Sequence, residues 1–143
     1  VHSVWCGAAK LMKALAMKLA TYNTYCRALP HAHHVVQWGG AHVWKVGTKV
    51  FAIADEIEGG RLHVTFKVSE TAFDILKAMP GCRPAPYLAS RGMKWIQRTG
   101  QETMSDKDLR AYLGESYRLA SLNLPKKTQR ELGLNQVATA ATK

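Results

Sequence analysis

Three kinds of side chain in this chain have a type and spacing that invite chemistry: a histidine run, a few carboxylates and a long acid-free basic stretch. His31, His33 and His34 follow the first helical segment, and an extended backbone would put His31 and His33 on one side. A metal would need three or four N, O or S ligands with ordered partners behind them. Only Cys26 is close enough in sequence to add to the set, so the run is expected to hold no metal. Its bland role is that of exposed loop histidines, which gain charge below about pH 6.5. The carboxylates offer no acid–base pair. Asp55, Glu56 and Glu58 crowd a turn, while Glu70, Asp106 and Asp108 stand where helices begin and capping explains them. No G-x-S-x-G, H-E-x-x-H or glycine-rich phosphate loop occurs, so neither an enzyme nor a cofactor is expected.

The basic residues say more. Between Ile75 and Gln101 there is no Asp or Glu, while Lys77, Arg83, Arg91, Lys94 and Arg98 are all cationic. Pro80, Pro84 and Pro86 stiffen this segment, since proline fixes φ and removes a donor, and the loop is expected not to pair as a sheet. Lys45 and Lys49 flank a hairpin turn, and Arg61, His63 and Lys67 share the polar side of an alternating run. Together, Lys45, Lys49, Arg61, Lys67, Arg83, Arg91 and Lys94 form the candidate binding set for a polyanion, DNA above all. Of the nearby aromatics Tyr87 and Trp95, burial is the expected role rather than base stacking. The rival class is an interaction module for an acidic protein. Cations gathered on one face favour DNA; cations ringing an apolar patch of several hundred Å² or so favour the protein partner.

A net charge of +10 over 143 residues, with pI near 9.8, fits either polyanion. The length suits a single domain with its own core. Cys6, Cys26 and Cys82 are odd in number, far apart and without a C-x-x-C pair, which argues against a disulfide framework or structural zinc. A reducing, cytoplasmic setting and a monomer or weak dimer are the expectation. Lys10, Lys13 and Lys18 interrupt the apolar N-terminal segment, which therefore lacks the pattern of a signal peptide or a membrane span.

The elements that must position these residues follow from periodicity. Residues 1–10 show no pattern and are expected to lie outside the fold, with one domain over 11–130 and a frayed tail over 131–143. Leu11, Leu15, Leu19, Tyr22 and Cys26 recur at helical steps, and Leu29-Pro30 ends that helix. Extended runs His34–Trp38, Ala41–Val46 and Lys49–Ala54 are joined by glycine-containing hairpin links. In Arg61–Lys67, Leu62, Val64 and Phe66 alternate with polar residues, so one sheet face packs on helices and the other meets water. Ser69 caps a helix over Glu70–Met79, Met93–Arg98 is a strand, and Ser105-x-x-Asp108 caps a last helix whose stripe is Leu109, Tyr112, Leu113, Ser116 and Ala120. The order α, three or four β, α, one or two β, α describes an α+β domain in two layers, an antiparallel sheet with helices on one face.

The pattern resembles the MmcQ/YjbR family of small bacterial proteins. The matching pieces are Tyr25 to Pro30, Trp44-Lys45-Val46 with Lys49 to Ala52, Leu62 to Lys67, Pro80-Gly81, Pro86-Tyr87-Leu88, Lys94-Trp95-Ile96, Ser116-Tyr117 and Leu124 to Lys127. The resemblance spans roughly Thr21 to Arg130. It implies a fold related to secretion chaperones and frataxin-like (CyaY) domains, and DNA binding through a double wing of hairpins. Where the family carries glycine and acidic residues after Leu-Pro, this chain has His31, His33 and His34, so any role of carboxylates there is lost.

Overall fold

The computed structural model describes residues 17–86 and 88–136. Expectations for residues 1–16, including the extension and the helical positions Leu11 and Leu15, lie outside these residues. So do those for Tyr87 and for 137–143.

Among the described residues four helices and six strands follow one another as α1 (Leu19–Arg27), β1 (Ala32–Gln37), β2 (Ala41–Val46), β3 (Lys49–Ile57), β4 (Arg61–Lys67), α2 (Glu70–Leu76), β5 (Cys82–Pro84), β6 (Trp95–Arg98), α3 (Asp106–Ser121) and α4 (Lys126–Leu132). The strands form one antiparallel sheet in the order β1-β2-β3-β4-β6-β5. The α+β, two-layer class expected from periodicity is the class found.

Alternation decides which side chains meet the helices. Trp44, Val46, Ala52, Ala54, Leu62, Val64, Phe66 and Ile96 from the strands share one core with Tyr22 and Cys26 of α1, Phe73 and Leu76 of α2, and Leu109, Leu113 and Ala120 of α3. Helix α1 is tied across this layer by polar contacts as well. The Tyr22 hydroxyl donates to the His42 carbonyl (2.9 Å), and the Trp44 indole N–H donates to Asn23 Oδ1 (2.9 Å). Both serine caps form as expected: Ser69 Oγ accepts the Ala72 N–H and Ser105 Oγ the Asp108 N–H, each at 3.2 Å.

Strand β3 carries an extra residue. Trp44 pairs with Ala52 while Lys45 pairs with Val50, which leaves Phe51 bulged, with its ring fully buried in the core. The β3–β4 ladder ends beside it, at the pair Ala52 and Phe66, and Ser116 of α3 continues the bonding from there. Its hydroxyl donates to the Phe51 carbonyl (2.6 Å) and accepts the Lys67 N–H (2.8 Å).

Two features depart from the sequence expectation. The proline loop does pair: Cys82, Arg83 and Pro84 lie opposite Arg98, Gln97 and Ile96. Proline is tolerated there because β5 is the edge of the sheet, where a missing donor leaves no neighbour unpaired. The chain past Pro125 also forms a further helix, α4. It ends at Gly133 (φ 71°), where the Gly133 N–H bonds the Arg130 carbonyl and the Leu134 N–H bonds the Gln129 carbonyl (3.1 and 2.8 Å), a Schellman turn. Of the tail expected to fray, Leu134 is in fact buried in the core. Buried Gln129 donates to the carbonyls of Leu122 and Leu124, closing the C-terminal end of α3.

Candidate nucleic-acid interface

Among the described residues one sheet face carries no helix, and it is crossed by one row that touches every strand. Val35, Val43, Ile53, Thr65, Gln97 and Arg83 are paired in succession from β1 to β5. The face was expected to meet water throughout, yet Val43, Thr65, Trp95 and Gln97 are all buried. Charged or titratable side chains stand beside two of them. His63 and Lys67 flank Thr65 on β4, and the Arg83 side chain lies against Gln97.

Cations rim this row. Arg61 and Lys67 alternate with the core residues Leu62 and Phe66 and so take the helix-free face, as does Lys45 between Trp44 and Val46. Arg83 joins them from β5, its Nε donating to Gln97 Oε1 at 2.7 Å. Arg61 and Lys67 stand six residues apart on β4, roughly 20 Å at about 3.3 Å per residue. That length of duplex carries about 12 phosphate charges at one per ~1.7 Å of axis.

The other three candidates lie elsewhere. Lys49 is paired with Val46 at the β2–β3 turn and so takes the helix side. The Lys94 ammonium sits over the Phe73 ring of α2, 4.9 Å from its centre. Arg91 is exposed on the single helical turn Ala89–Arg91. The sequence candidates therefore divide into a group on the sheet, Lys45, Arg61, Lys67 and Arg83, and a separated trio.

Among the described residues three ion pairs form: Lys77 with Asp74, Arg118 with Glu115, and Arg98 with Asp106. None of them involves a cation of the sheet group. Arg98, read in sequence as one more cation of the basic stretch, is buried on the helix side. It bonds Asp106 Oδ1 at 2.9 Å and the Met104 carbonyl at 3.0 Å. One carboxylate does reach the helix-free face: Asp55, paired with His63 across β3 and β4. Burial lowers the His63 pKa, the charges of Arg83 and Arg61 lower it further, and Asp55 opposes them.

The histidine run is dispersed into separate contacts. The His31 ring bonds the Leu132 carbonyl (2.9 Å), whereas His34 stacks between Trp44 and His42, its Nε2 3.0 Å from His42 Nδ1. Cys26 is fully buried in the core, where desolvation pushes its thiol up to about 12. No group of three or more His, Cys, Asp or Glu side chains suited to a metal occurs among the described residues.

Sequence reasoning passed over Gln97 and Thr65. The signal was present in the alternation of Trp95-Ile96-Gln97-Arg98, which puts a neutral amide beside the cations of β4 once β6 is known to pair with it. It also passed over Trp38, exposed at the β1–β2 hairpin with φ 52°, a conformation unusual for a bulky residue.

A family model described as YjbR matches residues 27–119. The chain belongs to the YjbR family. The matched region runs from the end of α1 into α3 and so includes the whole sheet and its basic row. Among solved structures, this YjbR chain is similar to the Deinococcus radiodurans protein DR2400, which carries a domain described as DUF419. The two are 25% identical, with a TM-score of 0.71, over 82% of this chain and 88% of that one. It shares its fold with a Pseudomonas syringae protein at 17% identity and a TM-score of 0.58, covering 73% of this chain and 99% of that one. No curated protein matches the chain. Among the described residues no helix is long and apolar enough to cross a membrane.

Proposed function

We propose that this YjbR-family protein binds DNA, without catalysing a reaction, through the helix-free face of its sheet. The observation that carries the reading is the sheet group Lys45, Arg61, Lys67 and Arg83, four cations that form no ion pair among the described residues. A face of this kind contacts phosphates and displaces their counterions, which supplies affinity for any sequence. The charge of +10 adds long-range attraction. The large exposed apolar side chains support the same choice over an acidic protein partner. Val36, Trp38, Ile75, Met79, Met93 and Leu122 are spread over the β1–β2 hairpin, α2 and the turn after it, the loop before β6 and the end of α3, rather than gathered in one patch ringed by cations.

The test is fluorescence anisotropy with duplex DNA, single-stranded DNA and an acidic polypeptide over a range of salt. Each phosphate contact on duplex contributes about −0.9 to the slope of log K against log salt, so replacing Arg61, Lys67 and Arg83 together with Ala should flatten it by up to about 2.7. Replacing Arg91 and Lys94 should flatten it less. Wild-type affinity for duplex no better than about 10⁻⁴ M would remove DNA as the ligand. Tighter binding to the acidic polypeptide would put a protein in its place.

A further inference from the structure

Arg83 is held in place by a neutral amide and not by a carboxylate. Its Nε donates to Gln97 Oε1 at 2.7 Å, and the Gln97 amide nitrogen is 3.4 Å from Thr65 Oγ1. Gln97 and Thr65 are 6% and 4% exposed. Buried polar side chains are tolerated only when hydrogen-bonded, and apolar residues would serve stability as well at these two positions. What the pair does provide is orientation. The amide occupies the Nε–H of the guanidinium and leaves its charge unneutralised. Among the described residues the four Nη hydrogens have no partner, which suits them to a planar, two-point contact with an oxyanion. On the same face, His63 lies two residues from Thr65, and the charges of both Arg83 and Arg61 act on its ring. The opposing charge is Asp55, its partner on β3.

We propose that Arg83, Arg61 and His63 form an anion site for a phosphate group, with Gln97 as the residue that positions Arg83. The inference rests on the DNA reading for its natural ligand, a backbone phosphodiester, but the same chemistry would accept a free phosphate or pyrophosphate. Burial and the two arginines disfavour the His63 proton, against the pull of Asp55. An anion bound between these cations supplies the missing counter-charge, so proton and phosphate bind cooperatively at this site.

The experiment follows the His63 ring resonances by NMR through a pH titration, alone, with inorganic pyrophosphate and with a short DNA duplex. The midpoint should rise with either ligand in the wild-type protein and stay put in Arg83→Gln. Arg83→Lys keeps the charge but not the two-point fork. It should hold the salt slope for DNA while affinity falls about tenfold, the equivalent of one charge-assisted hydrogen bond. Gln97→Met should resemble Arg83→Lys, and Asp55→Asn should tighten binding. If duplex binds by anisotropy while the His63 midpoint does not move and Arg83→Lys binds as wild type, the anion site is wrong and the DNA reading stands. If pyrophosphate raises the midpoint but duplex does not bind, the site stands and the DNA reading falls. Absence of both effects removes both.

Discussion

Ser116→Ala removes a single oxygen from a fully buried position and leaves two backbone groups without their partner. The Phe51 carbonyl and the Lys67 N–H lie one step beyond the last β3–β4 pair, Ala52 with Phe66, and Ser116 Oγ bonds both of them in place of a further ladder bond. A buried polar group left unsatisfied costs about 1–3 kcal/mol. Two such groups give roughly 2–6 kcal/mol, a large part of the ~5–15 kcal/mol that holds a domain folded. Urea unfolding followed by circular dichroism measures this directly. With a slope of about 2 kcal/mol/M, the midpoint should fall by on the order of 1–3 M while the slope itself is unchanged. A useful comparison is Ser121→Ala, also in α3. There the hydroxyl bonds the Arg118 carbonyl of its own helix and accepts from Asn135, so the loss should be nearer about 1 kcal/mol. A loss below about 1 kcal/mol for Ser116→Ala would show that the two backbone groups find other partners, and that the bulge does not depend on α3.

Asp106→Ala strands the buried Arg98 guanidinium and should destabilise by about 3–5 kcal/mol, whereas Arg98→Met, read by the same urea titration, should be far milder. Trp95→Ala should cost about 3–5 kcal/mol as a buried large aromatic, measured by thermal melting; a variant that keeps its stability but loses DNA affinity would show instead that the ring stacks on bases. The pH dependence has a definite sign. The His34 pKa is lowered by burial, then by His42 and Arg27, and the His63 pKa by burial, then by Arg83 and Arg61 against Asp55. The unfolded chain therefore takes up these protons first as pH falls. The contribution of both histidines is complete above about pH 6.5 and is lost as pH drops from there through their folded values. Melting temperatures recorded between pH 7.5 and 5 should decline less in the His34→Gln/His63→Gln double variant, and an equal decline would refute the assignment.

What could be read from the sequence was whatever depends on near neighbours. The alternation of Arg61 to Lys67 gave the limits of β4 and its inward residues, and the serines at 69 and 105 marked two helix starts, because caps and periodicity act within a few residues. Long-range partners were not legible. Nothing near Arg98 in the chain distinguishes it from Arg83, yet one is buried against Asp106 and the other is exposed on the opposite face. That difference follows from the pairing of β6 with β4 across α2. Pro84 misled for a related reason: proline disfavours a central strand, and only the sheet order shows that β5 is an edge. The basic set divides in position, since alternation is informative within a strand and silent in the loop that carries Arg91 and Lys94.

The strand order also divides the protein in time. Strands β1 to β4 form a meander of adjacent hairpins, each closing over a short stretch of chain, whereas β6 must return across α2 and β5 to reach β4. Contacts that close short loops form first, because less chain entropy is lost before they are made. Arg61 and Lys67 belong to the early meander, while Arg83 and its support Gln97 arrive only with the last strand pair. A half-folded chain would thus carry part of the charge without the oriented guanidinium, so binding would report completion of the sheet. Pulse-labelled hydrogen exchange should find amides of β2 and β3 protected before those of Trp95–Arg98, and simultaneous protection would contradict this order.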